Sequence, residues 1–333
     1  MAPLGRCNAL HGVQRLIRRC GTSVALALIA AGGVGAGQES ASALPSDGAD
    51  LARRLVQGPI VVLARVEDSG LRPRLGIEEV LRGPALPETV KLAYRGANLT
   101  RPVGTPAFEI EDGERAVFVL GPWVDSRGRE AENLYRPEGG YQARVRLPKE
   151  GGEALLDAAR RIIEFQDSPD RGLAEARLVD WLEGSNPWLI DAALAQAAEY
   201  ALAGPEWIPA LLARARDAAP RRRVWVIRAF AHALERGRLT EERRARLGAP
   251  RIEPQERENE HVRACQETLV RLARTDADAV VRSEAVQAIA RVGVPEADAL
   301  LEAIARDDAD QNVRYEAAAA LYTRRQDGGR TDH

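Results

Sequence analysis

Lysine is nearly absent from this chain. Lys91 and Lys149 are the only two lysines among 47 basic side chains, and the rest are arginine. Together with the abundance of alanine this matches a GC-rich coding bias, so clusters of arginine say little by themselves about an anionic partner. Aromatic residues make up 5% of the sequence, there is one methionine, and there are four histidines. Two of the three cysteines, Cys7 and Cys20, lie in the first 43 residues. Cys265 in the helical run HVRACQETLVRLA then has no partner for an internal disulfide and no neighbour for a thiolate metal site, and reads as a buried, inert thiol. No HExxH pair, no GxSxG nucleophile elbow, no phosphate-binding GxxxxGK loop and no paired CxxC occurs, which removes the common zinc-peptidase, serine-hydrolase and nucleotide-hydrolase mechanisms. Of the remaining histidines, His232 in AFAHALERG reads as a helix histidine with a local acceptor. No catalytic residues, metal ligands or cofactor-binding residues are expected. The formal net charge is −2 and becomes −5 when residues 1–43, with four arginines and one glutamate, are set aside. A mature chain of that sign excludes nucleic acid as the expected partner.

Residues 1–43 have the layout of an export signal. Arg15, Arg18 and Arg19 form a basic start, an Ala/Gly-rich apolar stretch runs from about Gly21 to Gly37, and Ala41-Ser42-Ala43 offers the small residues a signal peptidase needs. The apolar stretch falls short of the roughly 20 residues of a membrane-spanning helix, so no integral span is expected in the mature chain. Cys20 lacks the preceding Leu and small residues of a lipidation box. The expected localisation is outside the cytoplasm, in the periplasm or beyond the cell.

From Pro59 the apolar spacing is of β type. Runs at Ile60–Val66, Leu75–Leu81, Thr89–Tyr94, Ala107–Ile110, Ala116–Leu120 and Tyr141–Val145 are punctuated by Gly83-Pro84, Gly104-Thr105-Pro106, Asp112-Gly113, Gly121-Pro122 and Gly139-Gly140. Six short strands in about ninety residues make a small antiparallel barrel or sandwich. The order of phrases, PIVVLARV, EEVLRGP, FEIEDGERAVFVL and YRPEGGYQARVRL, resembles the OB-like β-domains of exported bacterial proteins, a group that includes the netrin-like modules of metalloproteinase inhibitors. Those inhibitors work through a disulfide-clamped N-terminal cysteine. Residues 44–264 contain no cysteine, so inhibition by that route does not carry over.

The C-terminal half repeats itself. LVRLARTDADAVVRSEAVQA at 269–288 superposes on LEAIARDDADQNVRYEAAAA at 301–320 with a spacing of 32 residues, the period of a stacked-repeat architecture. Val281, Ala285, Ala288 and Val292 fall on one helical face. Gly293 closes that helix, and Pro295 fits the first turn of the next. Each unit is thus a helical hairpin that cannot bury its own apolar face and must stack on its neighbour. These residues resemble the HEAT-like repeats, whose second helix opens with Asp, then Val-Arg, then a spaced Ala. The resemblance implies a structural ladder between adjacent units through Asp276, Arg282, Asp308 and Arg314. Leu178–Leu194 fits the same unit with Asp191 where the later units have arginine, which predicts a broken ladder there. Residues 205–236 fit with a two-residue insertion, and the charged run from Gly237 to Glu260 reads as a short solvated helix and loop. Arg221-Arg222-Arg223 reads as a solvated helix start.

The expected organisation is a signal peptide at 1–43, an OB-like β-domain at 44–150, a HEAT-like α-solenoid at 151–327 and a disordered tail at 328–333, giving an α+β chain: a small antiparallel OB-like β-barrel followed by a HEAT-like α-solenoid. The functional expectation is an exported, non-enzymatic protein–protein interaction scaffold. A structural role in the cell envelope is the competing reading, and an enzyme resembling the bilin-lyase branch of HEAT-like proteins is a remote third. Tryptophan concentrates in binding hot spots, so Trp188, Trp207 and Trp225 are the candidate partner-binding residues, with helix core as their alternative role.

Overall fold

The computed structural model describes residues 47–70, 72–93, 110–138, 140–168, 170–199, 203–217, 219–246 and 256–328. The expected signal peptide, most of the strand expected at Ala107–Ile110 and most of the expected disordered tail lie outside them. The described residues divide into two compact units. One comprises Asp50–Pro169 and the other Asp170 onward together with Asp47–Ala49.

The first unit is a closed barrel. Its strands are β1 (Ile60–Asp68), β2 (Arg74–Arg82), β3 (Thr89–Leu92), β4 (Arg115–Val124), β5 (Glu130–Pro137) and β6 (Arg144–Arg146). The hydrogen-bonded order is β1-β2-β3-β5-β4-β6, and β1 also pairs with β4. Five strands therefore close on themselves, which removes the free sheet edges that invite aggregation, and β6 adds along β4. The β3–β5 pairing is parallel and the others are antiparallel. β1 pairs on both sides, and Val61, Val62, Leu63 and Ala64 are all buried, which is why its sequence is continuously apolar. Val117–Leu120 of β4 are buried likewise. Gly113 turns the chain into β4 at φ +78, the left-handed conformation expected of Asp112-Gly113.

Two helices complete this unit, α1 (Gly48–Leu55) from Asp50 onward and α2 (Gly152–Asp167). α2 buries Leu155, Leu156, Ala159, Ile162 and Ile163 and packs on β2. Arg160 forks onto Glu79, and Arg82 reaches Gln166, Asp167 and the Leu55 carbonyl. The helix read from the sequence as the start of the solenoid is therefore held by the barrel unit. β5 is a strand the sequence reading missed. The expected strand Tyr141–Val145 is a 3-10 turn, Gly140–Ala143, leading into β6.

The second unit is a row of four helical hairpins: α3 (Arg171–Glu183) with α4 (Pro187–Glu199), α5 (Ile208–Arg214) with α6 (Pro220–Arg246), α7 (Glu256–Thr275) with α8 (Ala279–Val292), and α9 (Ala297–Asp307) with α10 (Gln311–Gly328). A 3-10 turn, Pro205–Trp207, leads into α5. The second helices stack in sequence, α4 on α6, α6 on α8 and α8 on α10. Their small residues permit close approach, and Ala197, Ala229, Ala285 and Ala317 are all buried. Val281 and Val313 face inward at 0% and 1% exposure. Two details differ from the sequence reading. Pro295 stands before the helix it was expected to open, because the turn Pro295-Glu296 closes first, with Glu296 at φ 55. α6 runs on to Arg246, so the charged run from Gly237 begins as a continuation of that helix.

Candidate functional site

The chemistry of the second unit concentrates where each hairpin turns. In DADAV and DADQN the two aspartates have separate tasks. The second caps the helix: Asp278 accepts from the amides of Val280 and Val281 at 2.8 and 3.3 Å, and Asp310 accepts from Asn312 and Val313 at the same distances. These are side-chain acceptors for helix amides that lack an internal partner. The first aspartate braces the turn and takes an arginine from the preceding hairpin. Asp308 accepts the Asp310 amide at 2.8 Å and a fork from Arg282, Nε and Nη2 each at 2.9 Å. Asp276 accepts the Asp278 amide at 3.0 Å and a fork from Arg223 at 2.8 and 2.9 Å. The third guanidinium nitrogen turns back onto its own hairpin. Arg223 donates to the Asp217 carbonyl, Arg282 to the Asp276 carbonyl and Arg314 to the Asp308 carbonyl, at 2.9, 2.9 and 2.6 Å. Planar bidentate forks of this kind demand arginine, since lysine cannot span both oxygens.

The rung at the first junction runs the other way. Asp191 sits in α4, and Arg222 from the following hairpin reaches back to it at 2.5 Å while also touching Asp217 at 3.2 Å. The ladder is therefore reversed at this junction, not broken: the acid moved to one hairpin and the base to the next. Arg222 and Arg223 are accordingly rung residues and not a solvated helix start, and only Arg221 of the three is exposed.

Electrostatics follow burial and partners. At Asp308 the fork from Arg282 holds the carboxyl below the usual range. At Asp276 burial works in the opposite sense, but the Arg223 fork and the Asp278 amide outweigh it and the carboxyl is again lowered. At Asp191 burial dominates and pushes the carboxyl up against the pull of Arg222. Outward of the rungs, exposed pairs bridge neighbouring second helices: Arg228 to Glu284 at 2.8 Å, Arg291 to Glu235 at 2.8 Å, and Gln287 to Glu316 at 3.3 Å.

The candidate tryptophans separate into core and margin. Trp207 is fully buried and Trp225 nearly so, so neither offers a binding face, which corrects that expectation. Trp207 closes the 3-10 turn that leads into α5, and Trp225 lies in α6. The Arg221 guanidinium lies over the Trp225 ring, 4.7 Å from its centre, as a cation on the ring face. Trp188 is half-buried. His232 bonds the Ala198 carbonyl at 3.0 Å across the α4–α6 contact, and Cys265 is buried. A cleft of about 500 Å³ lies between α5 and α7, lined by Leu212, Ala215, Arg216, Ala264, Glu267 and Arg271. Among the described residues no group of three or more His, Cys, Asp or Glu is arranged to hold a metal ion, and no helix is long and apolar enough to cross a membrane. The large apolar side chains most exposed on the hairpins' second helices are Val280, Tyr315 and Tyr322.

Residues 257–322, which span all but the ends of the last two hairpins, match the family model of the HEAT repeats. No curated protein matches the chain. The sequence reading missed Asp217 and Arg223, although a signal was present. Aspartate precedes arginine by six residues at 217–223 as it does at 276–282 and 308–314.

Proposed function

We propose that this chain is an exported, non-enzymatic scaffold that binds another protein on the surface of its stacked hairpins. The observation that carries the reading is the rung network. The buried charges of the repeats are spent on one another and on backbone groups, in forks that fix the spacing of the hairpins. What is presented outward is a regular helical surface of exposed charge with isolated apolar side chains, a recognition surface in character. The HEAT-repeat match over the last two hairpins supports it, since such repeats serve in general as protein-interaction modules. Export rests on the leader pattern of residues 1–43.

The test has two parts. Cell fractionation followed by mass spectrometry of the purified protein is expected to find it outside the cytoplasm with a new N-terminus near residue 44; an intact N-terminus on a cytoplasmic protein would remove export. Cross-linking in intact cells, then reconstitution with the purified partner, is expected to give a saturable complex, with no turnover across a broad hydrolase panel. Specific turnover, or no saturable partner, would reject the scaffold.

A further inference from the structure

α8 and α10 are copies of one helix 32 residues apart, yet among the described residues α8 has a second helix on each side and α10 has one on one side only. The side of α8 that meets α10 is the stripe Ser283, Val286, Gln287 and Ala290, at i, i+3, i+4 and i+7. Gln287 donates to Glu316 of α10, Arg324 of α10 donates to the Ala290 carbonyl, and Val286 is fully buried. The same stripe on α10 is Tyr315, Ala318, Ala319 and Tyr322, and all four are exposed, the tyrosines at 73% and 66%. A helix face left to solvent in a repeat array is ordinarily polar. This one is more apolar than the covered stripe it copies. Two rings flanking a floor of two alanines make a shallow seat into which a helix can pack closely.

Arg314 adds direction to that seat. Its Nη1 braces the Asp308 and Ala309 carbonyls, as Arg282 braces Asp276 and Ala277. In Arg282 and Arg223 the remaining edge, Nε and Nη2, forks onto the aspartate of the next hairpin. That edge of Arg314 receives no carboxylate among the described residues. A second copy stacked head to tail does not supply one, because the turn of the first hairpin is Gly184-Ser185-Asn186, with no acid.

Resting on the scaffold reading and deepening it, we infer that the outer face of α10 is the docking site, and that its occupant is a helical hairpin of a different protein that enters its second helix through an aspartate. The occupant's carboxylate takes the Arg314 fork and its apolar helix lies over Ala318 and Ala319 between Tyr315 and Tyr322. It stands in the place of a fifth repeat.

The experiment uses the full chain with one extra period, residues 293–324 inserted once more after Arg324, so that the inserted Asp308 copy meets the original Arg314. Hydrogen exchange is expected to show the inserted hairpin protected at least tenfold over an unfolded segment. Arg314→Ala in the original copy is expected to lower the folding equilibrium constant at least tenfold in the extended chain and less than threefold in the parent. An unprotected insert, or the same cost of Arg314→Ala in both chains, overturns the seat. That arm needs no natural partner, so its failure leaves the scaffold reading standing. In the unmodified chain, a photo-cross-linking residue at Tyr322 is expected to join a different protein next to a helix preceded by aspartate, and Arg314→Ala is expected to suppress the adduct at least fivefold. Adducts to a second copy of this chain, to a segment without an acid, or indifferent to Arg314 overturn the assignment of the occupant.

Discussion

Replacing Asp308 by alanine removes one rung and leaves the rest of the molecule untouched, so its cost can be worked from the geometry. Two charge-assisted hydrogen bonds of 2.9 Å and one turn-bracing bond of 2.8 Å disappear together. Arg282 and Asp308 are only 12% and 7% exposed at their side chains, so the stranded guanidinium is poorly hydrated, though it keeps its bond to the Asp276 carbonyl. Breaking a buried pair from one side costs about 3–5 kcal/mol, and this partly solvated rung belongs at the lower end, about 3 kcal/mol. In a repeat array the loss is local, since each hairpin touches only its neighbours. Hydrogen exchange on the full chain is therefore the assay. Asp308→Ala is expected to reduce protection roughly a hundredfold in α9 and α10 and to leave α4 and α6 unchanged. Asp307→Ala is the control, since its partner Arg306 and Asp307 itself are 73% and 63% exposed, and it is expected to leave protection essentially unchanged. Equal effects from the two substitutions, or uniform loss along all four hairpins, would refute the rung as a buried, directional joint.

Arg222→Ala strands the Asp191 carboxyl, which burial already raises. A group whose folded pKa lies above its unfolded one stabilises below the unfolded value and loses that contribution as pH rises through the folded value. The deficit of Arg222→Ala in urea unfolding is thus expected to be about 2–3 kcal/mol at neutral pH and to shrink toward acid, and a deficit independent of pH contradicts it. In the parent chain Asp276 and Asp308 have the opposite sign. Both are held below the usual range, so their contribution is full above about pH 4 and is lost as pH falls through the lowered values. Melting temperatures from pH 6 to pH 2 read it, and Asp276→Asn with Asp308→Asn is expected to flatten the acid limb. Burial pushes the Cys265 thiol far above its ordinary value, so a thiol reagent at pH 8 is expected to label it only in denaturant, and labelling of the native chain at the rate of a free thiol rules that burial out. In the barrel, Phe118→Ala empties a fully buried site of β4 and is expected to cost about 3–5 kcal/mol, read from the barrel's own unfolding transition.

The elements legible in the sequence are those whose local and long-range signals agree. α3 and α8 start and stop where their caps and apolar spacing place them, because Asp170 and Asp278 each accept two helix amides and Gly293 ends α8 in the left-handed conformation. β1 and β4 were legible as unbroken apolar runs, since both lie at the closure of the barrel. β5 was not, because EAENLYRP carries no buried side chain, so nothing in its pattern marks a strand. What makes it one is backbone pairing to β3 and β4. The rungs at 276–282 and 308–314 were visible as a repeat, whereas Arg222 and Arg223 sat inside a run of three arginines in a chain full of arginine. The tryptophans failed for a related reason. A large ring at helical spacing reads the same whether its stripe faces a neighbour or a partner, and only stacking tells the two apart.

The rungs solve a problem the packing creates. The stacked second helices bury small residues, Ala285, Ala288 and Ala317 among them, and alanine has little shape with which to resist a slip of one residue. Such a slip turns a helix by about 100° and carries each arginine away from its aspartate, exchanging a satisfied fork for a stranded charge. The penalty for the wrong register is therefore far larger than the net gain from the right one, since a buried ion pair and a hydrophobic pair of like volume stabilise about equally. Replacing Arg282 and Asp308 together by leucine is then expected to hold the unfolding free energy of the last hairpin, read in urea, within about 1 kcal/mol while broadening or doubling the amide signals of α9 and α10. If those signals stay single and sharp, alanine packing alone sets the register and the rungs serve stability only.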